Sequence, residues 1–478
     1  MDSASIQFVL FGLAIAILSN FSRSAAWRSA VLMLASLTFL GLVAVHPITL
    51  LPLAGFLALG YVGVQISQRT GSRWMAFTVT LILLIYIWLK RYTFLPENIF
   101  LRFPYLTLGL SYIFFRVLHL VIDSGSESQK PRISLFNYLL YTINFTTIVS
   151  GPIQRYENFA HDQFAEEPPP LHPGIVGLQF ERIIRGLFKV NVLGMLLQNM
   201  QEDTLELLTQ PMPESVKLIA AFRLILIYPF FLYCNFSGYI DIVIALARLM
   251  RMQLPENFDR PFSASSFLDF WNRWHITLST WLKTYVYNPS LLTLMRRITL
   301  RAIEPFLGVF CFFVTFFLVG IWHGRTSEFA IFGILNGGGV AGNKLWQMSL
   351  TNWLGRKGYK ALAANAVYIA FGRGLTFSWF AFATFWFWAS WKELGAIFTS
   401  IGVIAWLTVW LAVWLTATAI LAVWEWLRNR LMSWKSSDGP VFLGRYARVI
   451  YATVMGFTFL IVNLLLNQPA PGIVYKKF

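Results

Sequence analysis

The chain has 478 residues, of which 57% are hydrophobic and only 13% charged. Soluble domains carry about 25% charged residues, so this composition excludes a soluble globular protein and predicts an all-α, polytopic integral membrane protein. In a soluble chain the formal charge of +16 would suggest nucleic acid. Here the basic residues fall mostly in short segments between apolar runs, where they set topology and meet anionic lipid headgroups. No basic block interleaves with exposed aromatics, so membrane lipids are the expected partner and nucleic acid is not.

In chain order, apolar runs of membrane length predict spans near residues 6–22, 29–45, 48–66, 75–89, 106–122 and 133–150, and about eleven spans in the whole chain. The first run, Ile6 to Leu18, has no basic segment before it and no small-residue cleavage site after it, so it reads as a membrane helix, not a signal peptide. Arg23 and Arg28, Arg69 and Arg73, and Lys130 and Arg132 occupy alternate turns. The positive-inside rule makes that side cytoplasmic and puts the N-terminus outside. Lys476 and Lys477 put the C-terminus inside, although the basic loop from Arg428 to Arg448 fits that scheme poorly. Cys234 and Cys311 lie in apolar runs and read as buried free thiols.

The stretch "EEPPPLHPG" (166–174) is a surface loop by its prolines. It separates N-terminal helices (1–150) from a central region (175–350), which the C-terminal helices (351–478) follow. There is no internal repeat, so one membrane domain over 1–478 is expected.

The central region is irregular. In "FDRPFSASSFLDFWNRWHITLSTWLKTYVYNPS" (258–290), Phe267, Phe270, Trp271, Trp274, Leu278, Trp281, Leu282 and Tyr285 fall on one apolar stripe. Asp269, Asn272, Arg273, Thr277, Thr280 and Lys283 fill much of the remainder. That pattern predicts an interfacial or protein-buried helix beside a cavity, because polar backbone at membrane depth needs protein or water around it.

Six histidines are the candidates for chemistry. His46, His161 and His172 lie in polar connections and read as structural. His119, inside a span, reads as a buried, hydrogen-bonded residue. His275 and His323 each sit at the edge of an apolar segment among aromatic and polar residues. An imidazole there can take a proton from a hydroxyl and return it to a leaving group. No His-x-x-x-His, Cys-x-x-Cys or carboxylate–histidine cluster has metal-ligand spacing, so no metal and no bound cofactor are expected. "NGGGVAGNK" (336–344) interrupts an apolar segment and reads as close helix packing. No Gly-x-Ser-x-Gly elbow occurs.

Five blocks resemble the membrane-bound O-acyltransferase family in order: "LTLGLSYIFFRVLHLVID" (106–123), "IVSGPIQRYENF" (148–159), "YCNFSGYIDIVIALARLMRMQLPENFDRPF" (233–262), "FWNRWHITLSTWLKTYVY" (270–287) and "FFLVGIWHG" (316–324). The likeness is strongest to the bacterial branch containing the alginate O-acetyltransferase and D-alanyl-teichoic acid transferase membrane subunits. The resemblance implies a ring of tilted helices around a thinned centre, with a tunnel from a cytoplasmic donor side to an extracytoplasmic acceptor side. It implies His323 as the catalytic base and His275 as its partner. Asn272, Arg273, Tyr239, Trp322 and Asn336 are the expected orienting or substrate-binding residues, and Lys283 and Arg325 the expected donor-binding cations. The implied donor is acetyl-CoA or another acyl thioester. The implied partners are a polysaccharide acceptor and an extracytoplasmic esterase-like acyltransferase, and the implied location is the bacterial cytoplasmic membrane. Asn235 replaces the family's usual aspartate, Asn336 stands where this branch often has a histidine, and Arg325–Thr326 follow His323–Gly324 in place of small residues. These departures leave the histidine pair intact and loosen the substrate assignment. D-alanyl transfer from a carrier protein, acylation of a protein or small lipid, and a non-enzymatic transporter or scaffold remain open on the sequence.

Overall fold

The computed structural model describes residues 5–44, 46–126, 132–300, 302–436, 439–466 and 471–472. Lys130, Lys476 and Lys477, used above for topology, lie outside them. The chain divides into two compact units: residues 1–187, 236–256 and 472–478 form the first, and residues 188–235 and 257–471 the second.

The first unit holds α1 (Ile6–Ser19), α2 (Ala25–Val43), α3 (Leu51–Thr70), α4 (Met75–Lys90), α5 (Leu110–Ser126), α6 (Leu135–Thr142), α7 (Tyr156–Gln163) and α8 (Pro173–Phe188). Its core is aromatic: Phe8 meets Phe39 edge-on at 5.9 Å and Phe145 at 6.2 Å, and Tyr86 stacks on Phe114 at 4.1 Å. The span expected near 133–150 is instead the short α6 followed by buried irregular chain. Asn144 ends the helix there because its Oδ1 accepts from the backbone N (3.1 Å) and Oγ1 (2.9 Å) of Thr146, a local bond that competes with helical hydrogen bonding. Arg116 of α5 covers the open end by donating to the carbonyls of Tyr141 (3.1 Å) and Thr142 (3.0 Å). His119 is the buried, hydrogen-bonded histidine that the sequence suggests, with Nε2 3.1 Å from the Tyr141 hydroxyl.

The second unit begins with α9 (Met195–Thr209) and α10 (Glu214–Leu249), whose residues from Phe236 onward belong to the first unit. It continues through α11 (Phe267–Trp271), α12 (Ile276–Leu282), α13 (Asn288–Arg297), α14 (Glu304–His323), α15 (Ser327–Ala363), α16 (Ala366–Ala383), α17 (Phe385–Trp388), α18 (Trp391–Thr399), α19 (Val403–Ser433) and α20 (Arg445–Leu466). The core gathers Leu224, Phe377, Phe385, Ile397, Trp406 and Val413. Helices α14 and α15 form a hairpin whose backbones touch: a Cβ added at Gly320 would lie 2.4 Å from the Cα and N of Gly333. Only glycine allows that approach.

Among the described residues seven helices are long and apolar enough to cross a bilayer, and α1 and α4 are shorter apolar helices. This is a multi-pass, all-α membrane protein. The count falls below the expected eleven because α1 and α4 are shorter than a full span, α6 is cut short, and α5 carries Arg116 and His119 within seventeen residues.

The ends of the second unit's spans differ in charge. Around the His323 end, Arg325 and Lys392 stand against Glu328 and Glu393. The opposite end carries Arg296, Arg297, Arg356, Lys357, Lys360 and Arg428 against Glu304 and Glu425.

Candidate active site

The segment from Asn257 to Leu282 is too irregular for a single helix, and cross-bonds hold it in place. The N–H of Asp259 donates to Arg273 O and that of Ile276 to Asn257 O, each at 3.0 Å. Phe258 and Trp274 pair across this short antiparallel contact, with their rings edge-on at 5.1 Å. His275 then takes φ 46°, ψ 50°, left-handed backbone that is uncommon for non-glycine residues but enriched for histidine. That one reversal starts α12 and leaves the imidazole fully buried.

The tautomer of His275 follows from its neighbour. Asn257 Oδ1 accepts from the backbone N (3.0 Å) and the Oγ1 (2.9 Å) of Thr277, so the oxygen, not the amide nitrogen, faces this cluster. His275 Nδ1, 3.3 Å from the same oxygen, is therefore the protonated nitrogen, and Nε2 keeps its lone pair. His275 lies outside the seven spans, and burial pushes its imidazole down to about 3. It is neutral at physiological pH.

His323 is the last residue of α14 and is buried. Its ring packs against Trp322 (4.7 Å), Phe387 (5.1 Å) and Phe332 (5.8 Å). Trp322 also meets His275 at 6.2 Å, so one indole touches both imidazoles. Gly324, the next residue, has room for nothing more: an added Cβ would fall 1.9 Å from the Phe329 ring.

The other expected residues are spread more widely. Asn336 is fully buried one turn beyond Phe332, to whose carbonyl its Nδ2 donates at 2.8 Å. Its Oδ1 has no hydrogen-bond partner among the described residues. Tyr239 is fully buried in the first unit, within electrostatic reach of Arg116. Arg273 is engaged by Asp269 at 3.0 Å and Asp259 at 3.7 Å. Asn272 and Lys283 line a cavity of about 180 Å³ together with Trp271, Ser279, Thr280 and Thr315. The indole N–H of Trp271 and the hydroxyl of Ser279 are buried there with no hydrogen-bond partner among the described residues. Arg325 lies past His323, whereas the α14 residues Phe312, Thr315 and Phe316 line the Lys283 cavity; Phe316 is about 10 Å from His323 by helical rise.

Sequence reasoning missed Asn257, Phe332 and Phe387. Asn257 stands in the quoted "PENFDRPF" block, and an asparagine six residues after the left-handed turn at Arg251 carries no signal of which distant histidine it will hold.

The family model described as membrane-bound O-acyltransferase matches residues 30–382. The chain is 27% identical over 229 residues to a teichoic acid D-alanyltransferase of Bacillus subtilis, covering 48% of this chain and 56% of that protein. It is 26% identical over 275 residues to the enzyme of that name from Streptococcus thermophilus, covering 57% and 65%. It is 27% identical over 293 residues to a probable alginate O-acetylase of Pseudomonas aeruginosa, covering 59% and 53%. The matches thus span roughly half to two thirds of these relatives. The family match runs through both histidines and the chain around them, and this protein belongs to the membrane-bound O-acyltransferase family.

Proposed function

We propose that this protein transfers a short acyl group from a cytoplasmic thioester to a hydroxyl on the opposite membrane face. The observation that carries the reading is the pair of buried imidazoles sharing Trp322 at the end of a membrane span. His323 takes the proton of the acceptor hydroxyl as its oxygen attacks the thioester carbonyl. The carbon–sulfur bond breaks, and the imidazolium returns the proton to the departing thiolate. His275, with its tautomer fixed by Asn257, is a neutral orienting partner whose Nε2 carries the lone pair.

The charge asymmetry of the second unit supports the sidedness. Its basic end faces the cytoplasm of a bacterial cytoplasmic membrane, and His323 stands towards the acceptor side. The Lys283 cavity is the donor approach, and Trp271 and Ser279 offer hydrogen bonds to a polar donor group within it. Its volume of about 180 Å³ is below the usual 300–1,000 Å³ of small-molecule sites, which favours a short acyl chain.

Acetyl from acetyl-CoA is the first reading, with an extracytoplasmic polysaccharide as acceptor and an esterase-like protein completing the transfer. Similarity to the probable alginate O-acetylases supports it. Similarity to the teichoic acid D-alanyltransferases supports D-alanyl transfer from an acidic carrier protein, which the +16 charge would attract. Purified protein in vesicles, given radiolabelled acetyl-CoA on the donor side, is expected to release label from CoA and pass it to an added glycan or partner protein. Release only when a D-alanylated carrier replaces acetyl-CoA would select the second donor. No release with either intact donor would remove the enzymatic reading.

A further inference from the structure

One end of the first unit gathers arginines that no carboxylate answers. Asn20 closes α1 and ties it to the end of α10: its Nδ2 donates to Ala16 O and Leu249 O, both at 2.8 Å, and its Oδ1 accepts from Arg251 Nε at 2.7 Å. Arg251 has a φ of 64°, left-handed backbone that turns the chain as α10 stops. Arg251 Nη1 then donates to Pro169 O (3.1 Å), and Arg248 Nη2 to Pro170 O (2.8 Å). Beneath them the buried Arg28 donates to Gln163 O (2.8 Å) and Ala165 O (2.9 Å). Every carbonyl accepting from these guanidinium groups is neutral, and among the described residues none of Arg23, Arg28, Arg248 and Arg251 forms an ion pair.

Asp162 is buried nearby with its Oδ2 accepting from Gln253 N at 2.6 Å, and Glu166 and Glu167 lie in the same segment, yet three further features leave these guanidinium groups open to an anion. Arg248 Nη1 is buried without a hydrogen-bond partner among the described residues. Arg23 is exposed, and among those residues its guanidinium makes no hydrogen bond. α2 starts beside it with no acidic residue in its first turn and no side-chain bond from its N-cap, Ser24. The first N–H groups of that helix and the positive end of its dipole are thus open to an anion. Arg251 is held below the usual guanidinium range by burial and by the positive charges of Arg23 and Arg248.

The geometry points to a phosphate-binding site built by Arg23, Arg248 and Arg251 at the start of α2. Its aromatic surroundings favour a phospholipid headgroup as the source. Phe21 and Trp27 are exposed beside it, with the Trp27 indole donating to Leu18 O at 2.8 Å. Aromatic rings at span ends mark the interface where lipid phosphates lie. A soluble phosphate compound carries the same group and is the other source. The site stands whatever acyl group the protein moves.

The test uses the full chain in phosphatidylcholine nanodiscs. In one arm phosphatidylglycerol is added, and the anionic lipid retained by the protein is read by native mass spectrometry. In the other arm inorganic pyrophosphate is titrated and its phosphorus NMR line width followed. Arg23→Gln removes an exposed side chain with no bond in the fold, so it keeps the protein intact; Arg248→Gln is the second variant. Arg69→Gln combined with Arg73→Gln is the control for general positive charge. Each site arginine is expected to weaken binding about fivefold, with the control unchanged. Loss in the lipid arm assigns a headgroup, and loss in the pyrophosphate arm assigns a soluble ligand. Equal binding by wild type and Arg23→Gln in both arms, or equal loss in the control, would overturn the site.

Discussion

His323→Ala is expected to lower acyl transfer by about 10²–10⁴-fold, the range for a positioned general base, while the protein still purifies as one folded species. The effect follows from the ring's packing: it lies against Trp322, Phe332 and Phe387, none of which can accept a proton in its place. The fold tolerates the change because no backbone conformation depends on His323, which ends α14 with ordinary helical geometry. Label release from the thioester donor, compared with elution volume and melting temperature of the same preparation, separates the two quantities. Retention of more than a tenth of the wild-type rate would take His323 out of the proton transfer.

The second large effect concerns folding. Gly320→Ala is expected to lower the melting temperature of the detergent-solubilised protein sharply, and Gly338→Ala to leave it unchanged. At Gly320 the new Cβ would lie 2.4 Å from Gly333 Cα and N and 2.5 Å from Phe329 O, whereas at Gly338 nothing lies within 4 Å. Backbone cannot swing aside as a flexible side chain can, so α14 and α15 must separate. Overpacking of this kind costs about 1–3 kcal/mol even where side chains can adjust. Because His323 sits three residues beyond Gly320, the rate should fall together with stability. A Gly320→Ala protein with wild-type melting temperature would mean that the two backbones are not in contact.

The two histidines were legible from sequence because each stands where an apolar segment ends, and because the blocks around them resemble a known family. What surrounds them was not. Phe387 reaches His323 from a helix more than sixty residues later, and Asn257 reaches His275 across a chain reversal that only the φ of 46° reveals. Periodicity describes one face of one helix and is silent on which faces meet. It also overestimated the span near 133–150, since hydropathy averages over Asn144 and Thr146, whose mutual hydrogen bonds end the helix. Lys283 and Arg325 looked equivalent as interfacial cations. Of the two, only Lys283 is seen to line the cavity beside α14.

The left-handed backbone at His275 makes this position answer two questions at once. An alanine there would remove the imidazole and also strain the turn that begins α12, since a Cβ is disfavoured at positive φ without histidine's, asparagine's or aspartate's local compensation. A glycine would remove the ring and relax the turn. An asparagine would keep the turn and a hydrogen-bonding side chain but no titratable nitrogen. Residue 275 is therefore a site where the choice of replacement, more than the fact of replacement, decides what a loss of activity means.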